Sequence, residues 1–428
     1  MMSDSPNTLS RRRAIQLLGL GGLAAAMPMT SWAQEVAGQH SLPAFTGPEA
    51  NPYWNSVGPF VTYPQKDPLV LLTDRPVQLE TPRHYFLDAF TPNSAFYVRW
   101  HLDEIPNDVD LGQWRLSIEG NVSNARKYSY SDLLARFKPV SVAAVNQCSG
   151  NSRSFFQPRV PGGQWGHGAM GNALWTGVRL KDLLNTAGLK GGSLAVQFQG
   201  LDQGKGPEGK GSHAFLKSLD FTNPVLDQAI VAYSMNGEPL PILNGFPVRL
   251  VVPGYFATYW MKGLSWIRVL DKPDDNFWMK TGYRIPDTPN GSTTPEAVKG
   301  GTVKTVPINV MPVRSFIISP DGSKKLPEKT PVTVRGIAFS GHGGITRVEF
   351  SADGAKTWKP AQLGEDHGPY SFRTWTFAWK PATPGTFELA VRATDASGAT
   401  QSDVPVWNPG GYLWNVIERQ KVVIGTIS

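Results

Sequence analysis

Cys148 is the only cysteine in 428 residues. It lies in the run Val145-Asn146-Gln147-Cys148-Ser149-Gly150-Asn151-Ser152-Arg153, where an apolar stretch breaks into a small, polar, glycine-bearing turn. No internal disulfide can form. A lone thiol is an inert buried side chain, a retained metal ligand or a nucleophile, and position alone favours the inert reading. The seven histidines are dispersed, which argues against a zinc site built from several Cys or His ligands at short spacing. Covalent haem in the C-x-x-C-H pattern needs two cysteines and is excluded. A Cys-His hydrolase stays open, although no local signature accompanies the thiol. No Walker-type or dinucleotide-binding glycine fingerprint sits at a strand-to-helix junction, so phosphoryl transfer and nicotinamide chemistry have little support.

The elements that must position this turn are legible in outline. Phe96-Tyr97-Val98-Arg99-Trp100 reads as a strand, and residues 131–137 as a short capped helix. Leu180, Leu183, Leu184 and Ala187 keep helical spacing and stop at Gly188, a suitable C-cap. Residues 229–233 and 248–252 read as buried strands, the second ended by Pro253-Gly254. The region over residues 93–304 is therefore expected to be α+β with many loops. A linker rich in Gly, Thr and Pro follows at about 288–305. Strand patterns at 332–339, 345–350, 371–379 and 386–394, with a turn at Asp353-Gly354, then predict an all-β, immunoglobulin-like sandwich over residues 305–428. Residues 34–92, rich in proline and polar residues, read as an extended arm with few helices.

The first 33 residues resemble a twin-arginine export signal. Ser10-Arg11-Arg12-Arg13 opens a basic stretch, an apolar Gly/Ala-rich run follows, and Ser31-Trp32-Ala33 offers a small-x-small cleavage pattern. The apolar run is short and glycine-rich for a membrane span, so a soluble periplasmic protein, exported folded with a cofactor already inserted, is expected. Hydrophobic residues make up 40% and charged residues 18%, as in an ordered globular chain, and the length suggests two domains. The formal charge is +7; three arginines and one aspartate in the leader account for +2 of it, leaving +5. The basic residues are scattered, which speaks against nucleic acid and for a locally basic pocket that takes a small anion.

Taken in order, several motifs resemble the sulfite oxidase family. They are Gln147-Cys148-Ser149-Gly150-Asn151 with Arg153, the run Asn172-Ala173-Leu174-Trp175-Thr176-Gly177-Val178-Arg179-Leu180, and Tyr233-Ser234-Met235-Asn236-Gly237-Glu238-Pro239-Leu240-Pro241. Gly245-Phe246-Pro247-Val248-Arg249 and Lys262 continue the match, and Ser351-Ala352-Asp353-Gly354-Ala355-Lys356-Thr357-Trp358 with Pro405-Val406-Trp407-Asn408 resemble that family's dimerisation domain. The resemblance covers nearly all of the chain after the leader. It implies a molybdenum-molybdopterin cofactor with Cys148 as a protein thiolate on the metal, a soft ligand deprotonated when bound. It also implies sulfite as substrate. Arg99 and Arg153 would bind the anion, since guanidinium forks suit an oxyanion. By the same resemblance His101 is an active-site histidine, Tyr283 an active-site tyrosine, and Trp165 a pocket wall. The runs Tyr97-Val98-Arg99-Trp100-His101 and Trp260-Met261-Lys262, together with Asp202, Asn244 and Arg249, would hold the pterin and its phosphate.

Two positions depart from the animal members of the family. Asn244 stands where they carry a histidine before Gly-Phe-Pro, and Gly410 where they carry an arginine, so one cofactor contact and one positive charge must be replaced or lost. With no haem-attachment motif in this chain, the electrons are expected to leave singly to a separate periplasmic c-type cytochrome, with the protein a homodimer through its β domain. The alternatives are a related catalytic subunit acting on carrier-bound sulfur, a methionine-sulfoxide reductase of the same superfamily, which would lack the sandwich, and a non-catalytic binding or assembly protein on the same scaffold.

Overall fold

The computed structural model describes residues 58–205 and 212–425. The expected export signal at residues 1–33 and the first part of the expected arm lie outside the described residues. Among the described residues, no helix is long and apolar enough to cross a membrane.

Strands dominate, and the helices are few and short. The expected helix near residue 131 runs Tyr130–Arg136, where Ser129 accepts from the Asp132 N–H and Asp132 reaches back to the Ser129 N–H, a reciprocal capping box. The helix Leu180–Ala187 stops at Gly188, whose N–H returns to the carbonyls of Leu184 and Asn185. Its Leu180, Leu183, Leu184 and Ala187 are all buried, as the spacing predicts.

The described part of the region read as an arm, from residue 58, contributes strands to a sheet. Leu69–Asp74 and Val77–Glu80 form a hairpin, and Val77–Glu80 pairs with Val98–Arg99 in the register Gln78↔Arg99 and Leu79↔Val98. The expected strand at residues 96–100 is thus only two residues long, and its position is set by the hairpin. A small core of Leu69, Val77, Leu79, Val98, Trp100 and Leu243 seals this sheet against the turn that carries Asn244.

Two larger sheets carry the rest of the first region. One has the order Ser212–Asp220, Ala195–Lys205, Trp266–Leu270, Leu116–Gly120, Arg126–Tyr128, with its third and fourth strands parallel. In the other, Val140–Gln147 pairs antiparallel with Met170–Arg179, which pairs with Ile230–Met235; Arg249–Val251 joins the last. Val140–Gln147 is buried over its last five residues and delivers Cys148 at its end.

The segment expected as a linker is ordered. Arg284–Pro286 pairs with Thr305–Pro307, and between them Pro295–Lys299 forms a one-turn helix because Thr294 caps it and Pro295 is preset at its first position. Beyond it, two four-stranded antiparallel sheets face each other. Arg314–Ser319, Val332–Phe339, Arg373–Trp379 and Gln362–Leu363 form one; Lys359–Pro360, Ile345–Ser351, Gly385–Asp395 and Glu418–Ile424 form the other. Val334, Trp375 and Ile317 from the first meet Phe350, Leu389 and Val391 from the second in their shared core. This sandwich also touches the cysteine strand: the Val145 N–H donates to the Tyr370 carbonyl at 2.8 Å.

Candidate active site

Cys148 is buried on the wall of a pocket lined also by Tyr97, Arg99, His101, Asn146, Ser149, Asn244, Arg249, Thr258, Lys262 and Tyr283. Three strands from two sheets converge there. Val98–Arg99 brings Tyr97 to His101, the end of Val140–Gln147 brings Asn146 to Ser149, and Arg249–Val251 with the segment after it brings Arg249 and Lys262. The Leu250 N–H donates to the Met261 carbonyl at 2.8 Å, which ties Lys262 to that strand.

Among the described residues, no carboxylate lines this pocket, while Arg99, Arg249 and Lys262 all do. Arg249 is held by the carbonyls of Asn244 at 2.9 Å and Trp260 at 3.3 Å, and its guanidinium lies 5.0 Å from the centre of the Trp175 ring and 5.7 Å from that of Trp260. The Lys262 ammonium sits 4.6 Å from the centre of the Trp100 ring. Burial lowers the Lys262 pKa and raises that of Asp202, each limited by the other's charge. Asp202 therefore stands behind the pocket as the counter-charge to Lys262 and does not line it.

His101 stacks face to face on Phe215 at 3.5 Å. Burial first, then the charges of Arg99, Lys262 and Lys217, hold its pKa well below the ordinary histidine value, so the imidazole is neutral at physiological pH. Burial holds the Tyr283 phenol well above its ordinary pKa against the opposing charge of Arg99, so it keeps its proton. The Tyr97 hydroxyl donates to Asn146 Oδ1 at 2.7 Å. Four buried nitrogens in this wall have no protein partner: Arg99 Nη1, His101 Nδ1, Asn146 Nδ2 and Arg249 Nε. Unpaired buried polar groups are costly, and their convergence on one cavity marks a place built for a polar or anionic ligand.

The remaining expected residues lie one layer back. Val98, Trp100, Trp260 and Met261 are buried and shape the wall through packing and backbone. Trp165 is buried and does not line the pocket. Arg153 is set beside the pocket: its Nε donates to the Gly410 carbonyl at 3.1 Å, its Nη1 to the Gly163 carbonyl at 3.2 Å, and its guanidinium lies 5.2 Å from the centre of the Tyr412 ring. Tyr412 in turn stacks on Tyr283. Glycines make room for Arg153, since a Cβ at Gly150 would come within 2.5 Å of its Nη2 and one at Gly162 within 2.8 Å of its Nη1. Gly410 is equally tight, because a Cβ there would meet the Tyr412 ring at 2.3 Å. The departure at Gly410 thus makes room for a tyrosine.

The departure at Asn244 also has a physical counterpart. Lys66, from the region read as an arm, donates to Asn244 Oδ1 and to the carbonyls of Asn93 at 2.7 Å and Phe96 at 3.0 Å. Asn244 Nδ2 donates to the Tyr97 carbonyl at 3.1 Å, so most of its amide is spent on protein groups. Lys66, Asn146, Ser149, Thr258 and the ring of Phe215 were not expected from sequence. Asn146 and Ser149 flank the cysteine and could have been inferred from adjacency; Lys66 carries no local signal.

The residue set fits a molybdopterin: a buried thiol for a metal, unpaired donors around it, and cations without carboxylates for an anionic tail. Together with the fold this defines a molybdopterin-binding oxidoreductase. Residues 101–278 match the oxidoreductase molybdopterin binding domain family, and residues 305–424 match the Mo-co oxidoreductase dimerisation domain family. The chain is 33% identical to mouse mitochondrial sulfite oxidase over 86% of its own length and 68% of the relative's. Against chicken sulfite oxidase it is also 33% identical, over 89% and 83%. The crystal structure of the sulfane dehydrogenase SoxCD from Paracoccus pantotrophus superposes with a TM-score of 0.70, covering 95% of this chain and 96% of that one at 22% identity, a likeness of fold. The protein belongs to the sulfite oxidase family, and its cofactor is molybdenum-molybdopterin.

Proposed function

We propose that this chain oxidises sulfite to sulfate and passes the electrons singly to a separate c-type cytochrome, as a periplasmic homodimer exported by the twin-arginine route. The observation that carries the substrate reading is the carboxylate-free pocket in which Arg99 Nη1 and His101 Nδ1 are buried beside Cys148 without protein partners. Family membership supports sulfite. The single cysteine, which leaves no C-x-x-C-H site, supports a separate haem protein as acceptor. The two family matches support a boundary between an oxidoreductase region at 93–304 and an immunoglobulin-like dimerisation region at 305–428.

When bound, the cofactor supplies the two-electron oxidant and the oxygen that sulfite gains. Cys148 would hold the metal, and Arg249 and Lys262 would neutralise the pterin's anionic tail. Arg99 orients the dianion by a charge-assisted hydrogen bond, worth more in this buried setting than at a surface. Neutral His101 accepts or donates one hydrogen bond without adding charge, and its stacking on Phe215 fixes the ring. Tyr283 retains its phenolic proton as a donor on the pocket wall. Arg153, fixed behind Tyr412, contributes long-range positive potential to the entering anion.

The test is metal analysis of the matured protein with sulfite-dependent reduction of cytochrome c. Stoichiometric molybdenum with turnover of sulfite is expected. Turnover of carrier-bound sulfur without turnover of sulfite would overturn the substrate reading, and a Cys148→Ser variant with full molybdenum content and activity would overturn the ligand reading.

A further inference from the structure

Arg314 opens the first strand of the C-terminal sandwich, yet its guanidinium is buried against the loop that carries Cys148. Its Nη1 donates to Gln147 Oε1 at 3.1 Å and its Nη2 to Ser152 Oγ at 2.9 Å. Gln147 immediately precedes the cysteine, and Ser152 follows it by four residues. One planar fork therefore spans both ends of the loop, from more than 160 residues away in sequence.

The loop depends on such a clamp. Ser152 sits in the left-handed region at φ 73°, an uncommon conformation for a residue with a side chain. Gln147 Oε1 also accepts from Asn151 Nδ2 at 3.2 Å, and Ser152 Oγ meets His167 Nδ1 at 2.7 Å. His167 Nε2 lies 3.6 Å from a Glu418 carboxylate oxygen, which places a second sandwich strand at the far end of the same polar chain. The Arg314 guanidinium is further fixed 4.5 Å from the centre of the Phe316 ring. None of these groups lines the pocket. All of them bear on the two residues that set where the Cys148 backbone, and hence Sγ, is held.

We propose that Arg314 is a positioning residue for the Cys148 thiolate, so that the C-terminal sandwich is a working part of the metal-ligand loop as well as a dimerisation element. This rests on Cys148 being the metal ligand. A lysine in its place keeps the charge but cannot hold two acceptors at the spacing of a guanidinium fork.

The experiment measures alkylation of Cys148 by iodoacetamide in cofactor-free protein, and the thiolate-to-metal charge-transfer absorption in the loaded enzyme. The proteins compared are wild type, Arg314→Lys, Arg314→Met, Ser152→Ala and Cys148→Ser. Loss of one hydrogen bond to a charged donor should open the loop enough to speed alkylation about fivefold or more in Arg314→Lys and Ser152→Ala. The charge-transfer band of both should shift or broaden. If Arg314→Met does not fold, Ser152→Ala still decides, since it removes a single hydroxyl. Unchanged alkylation and an unchanged band in folded Arg314→Lys and Ser152→Ala would overturn the positioning role. A charge-transfer band that survives in Cys148→Ser would instead overturn the ligand reading, so the two failures are told apart.

Discussion

Lys66→Met isolates the energetics of a single buried ammonium. In the folded protein burial lowers the Lys66 pKa from 10.5 to about 7, with Asp67 opposing. In the unfolded chain the same lysine titrates near its ordinary value. Between these two values the unfolded chain binds more protons than the folded one. The contribution of Lys66 to stability therefore rises with pH from about 7 to about 10.5 and is flat above. At about 1.36 kcal/mol per pH unit, the gain across that window is about 5 kcal/mol. Lys217 and Lys262 are also lowered by burial, but they are present in both proteins and cancel in the comparison. At neutral pH two effects of the substitution oppose each other. Relief of the desolvated ammonium stabilises the variant, while the Phe96 carbonyl and Asn244 Oδ1 lose their donor at about 1–3 kcal/mol each. The decisive quantity is consequently the slope. Urea unfolding of both cofactor-free proteins from about pH 7 to about pH 10, at fixed salt, should show wild type gaining on the variant throughout. Stability curves that run parallel would refute a depressed Lys66 pKa, and with it the picture of an ammonium held at high cost between Asn244 and residues 93–96.

Three further outcomes are expected. Gly410→Ala puts a methyl against the Tyr412 ring and should cost about 1–3 kcal/mol in thermal unfolding, with a change in the near-ultraviolet signal of the Tyr412–Tyr283 stack. Arg249→Met removes a charge from the pocket and strips the Asn244 and Trp260 carbonyls of their donor, so the molybdenum-to-protein ratio should fall well below that of wild type. Ser129→Ala breaks the capping box and should cost about 1 kcal/mol, seen as faster hydrogen exchange confined to Tyr130–Arg136.

The parts of the fold that read well from sequence are those with local causes. The Tyr130–Arg136 cap, the Leu180–Ala187 stripe ended by Gly188, and the strand Val332–Phe339 each carry their own signal within about ten residues. The hairpin of Leu69–Asp74 and Val77–Glu80 reads as an arm because Pro68 and Pro76 interrupt a short pattern whose stability comes from Trp100 and Leu243, distant in sequence. The apparent linker likewise owes its order to the pairing of Arg284–Pro286 with Thr305–Pro307. At the site, motif order singled out Cys148, Arg99, His101, Arg249 and Lys262, and the fold brings them to the wall of one pocket. Lys66 and Arg314 were missed because each acts on the pocket from another segment, and only tertiary structure brings them there.

The bond from Val145 to Tyr370 bears on how freely this architecture can be cut and recombined. Val140–Gln147 has a sheet partner on one side only, Met170–Arg179, and on the other its backbone meets the sandwich. An oxidoreductase region expressed without residues beyond 304 would present that strand as a bare edge, rich in valine and alanine, and bare edges recruit other chains. Swapping in a sandwich from a relative would need the carbonyl of residue 370 at the right height as well as a matching surface. Truncation for crystallisation or for a minimal catalyst should accordingly trade a smaller molecule for a self-associating one.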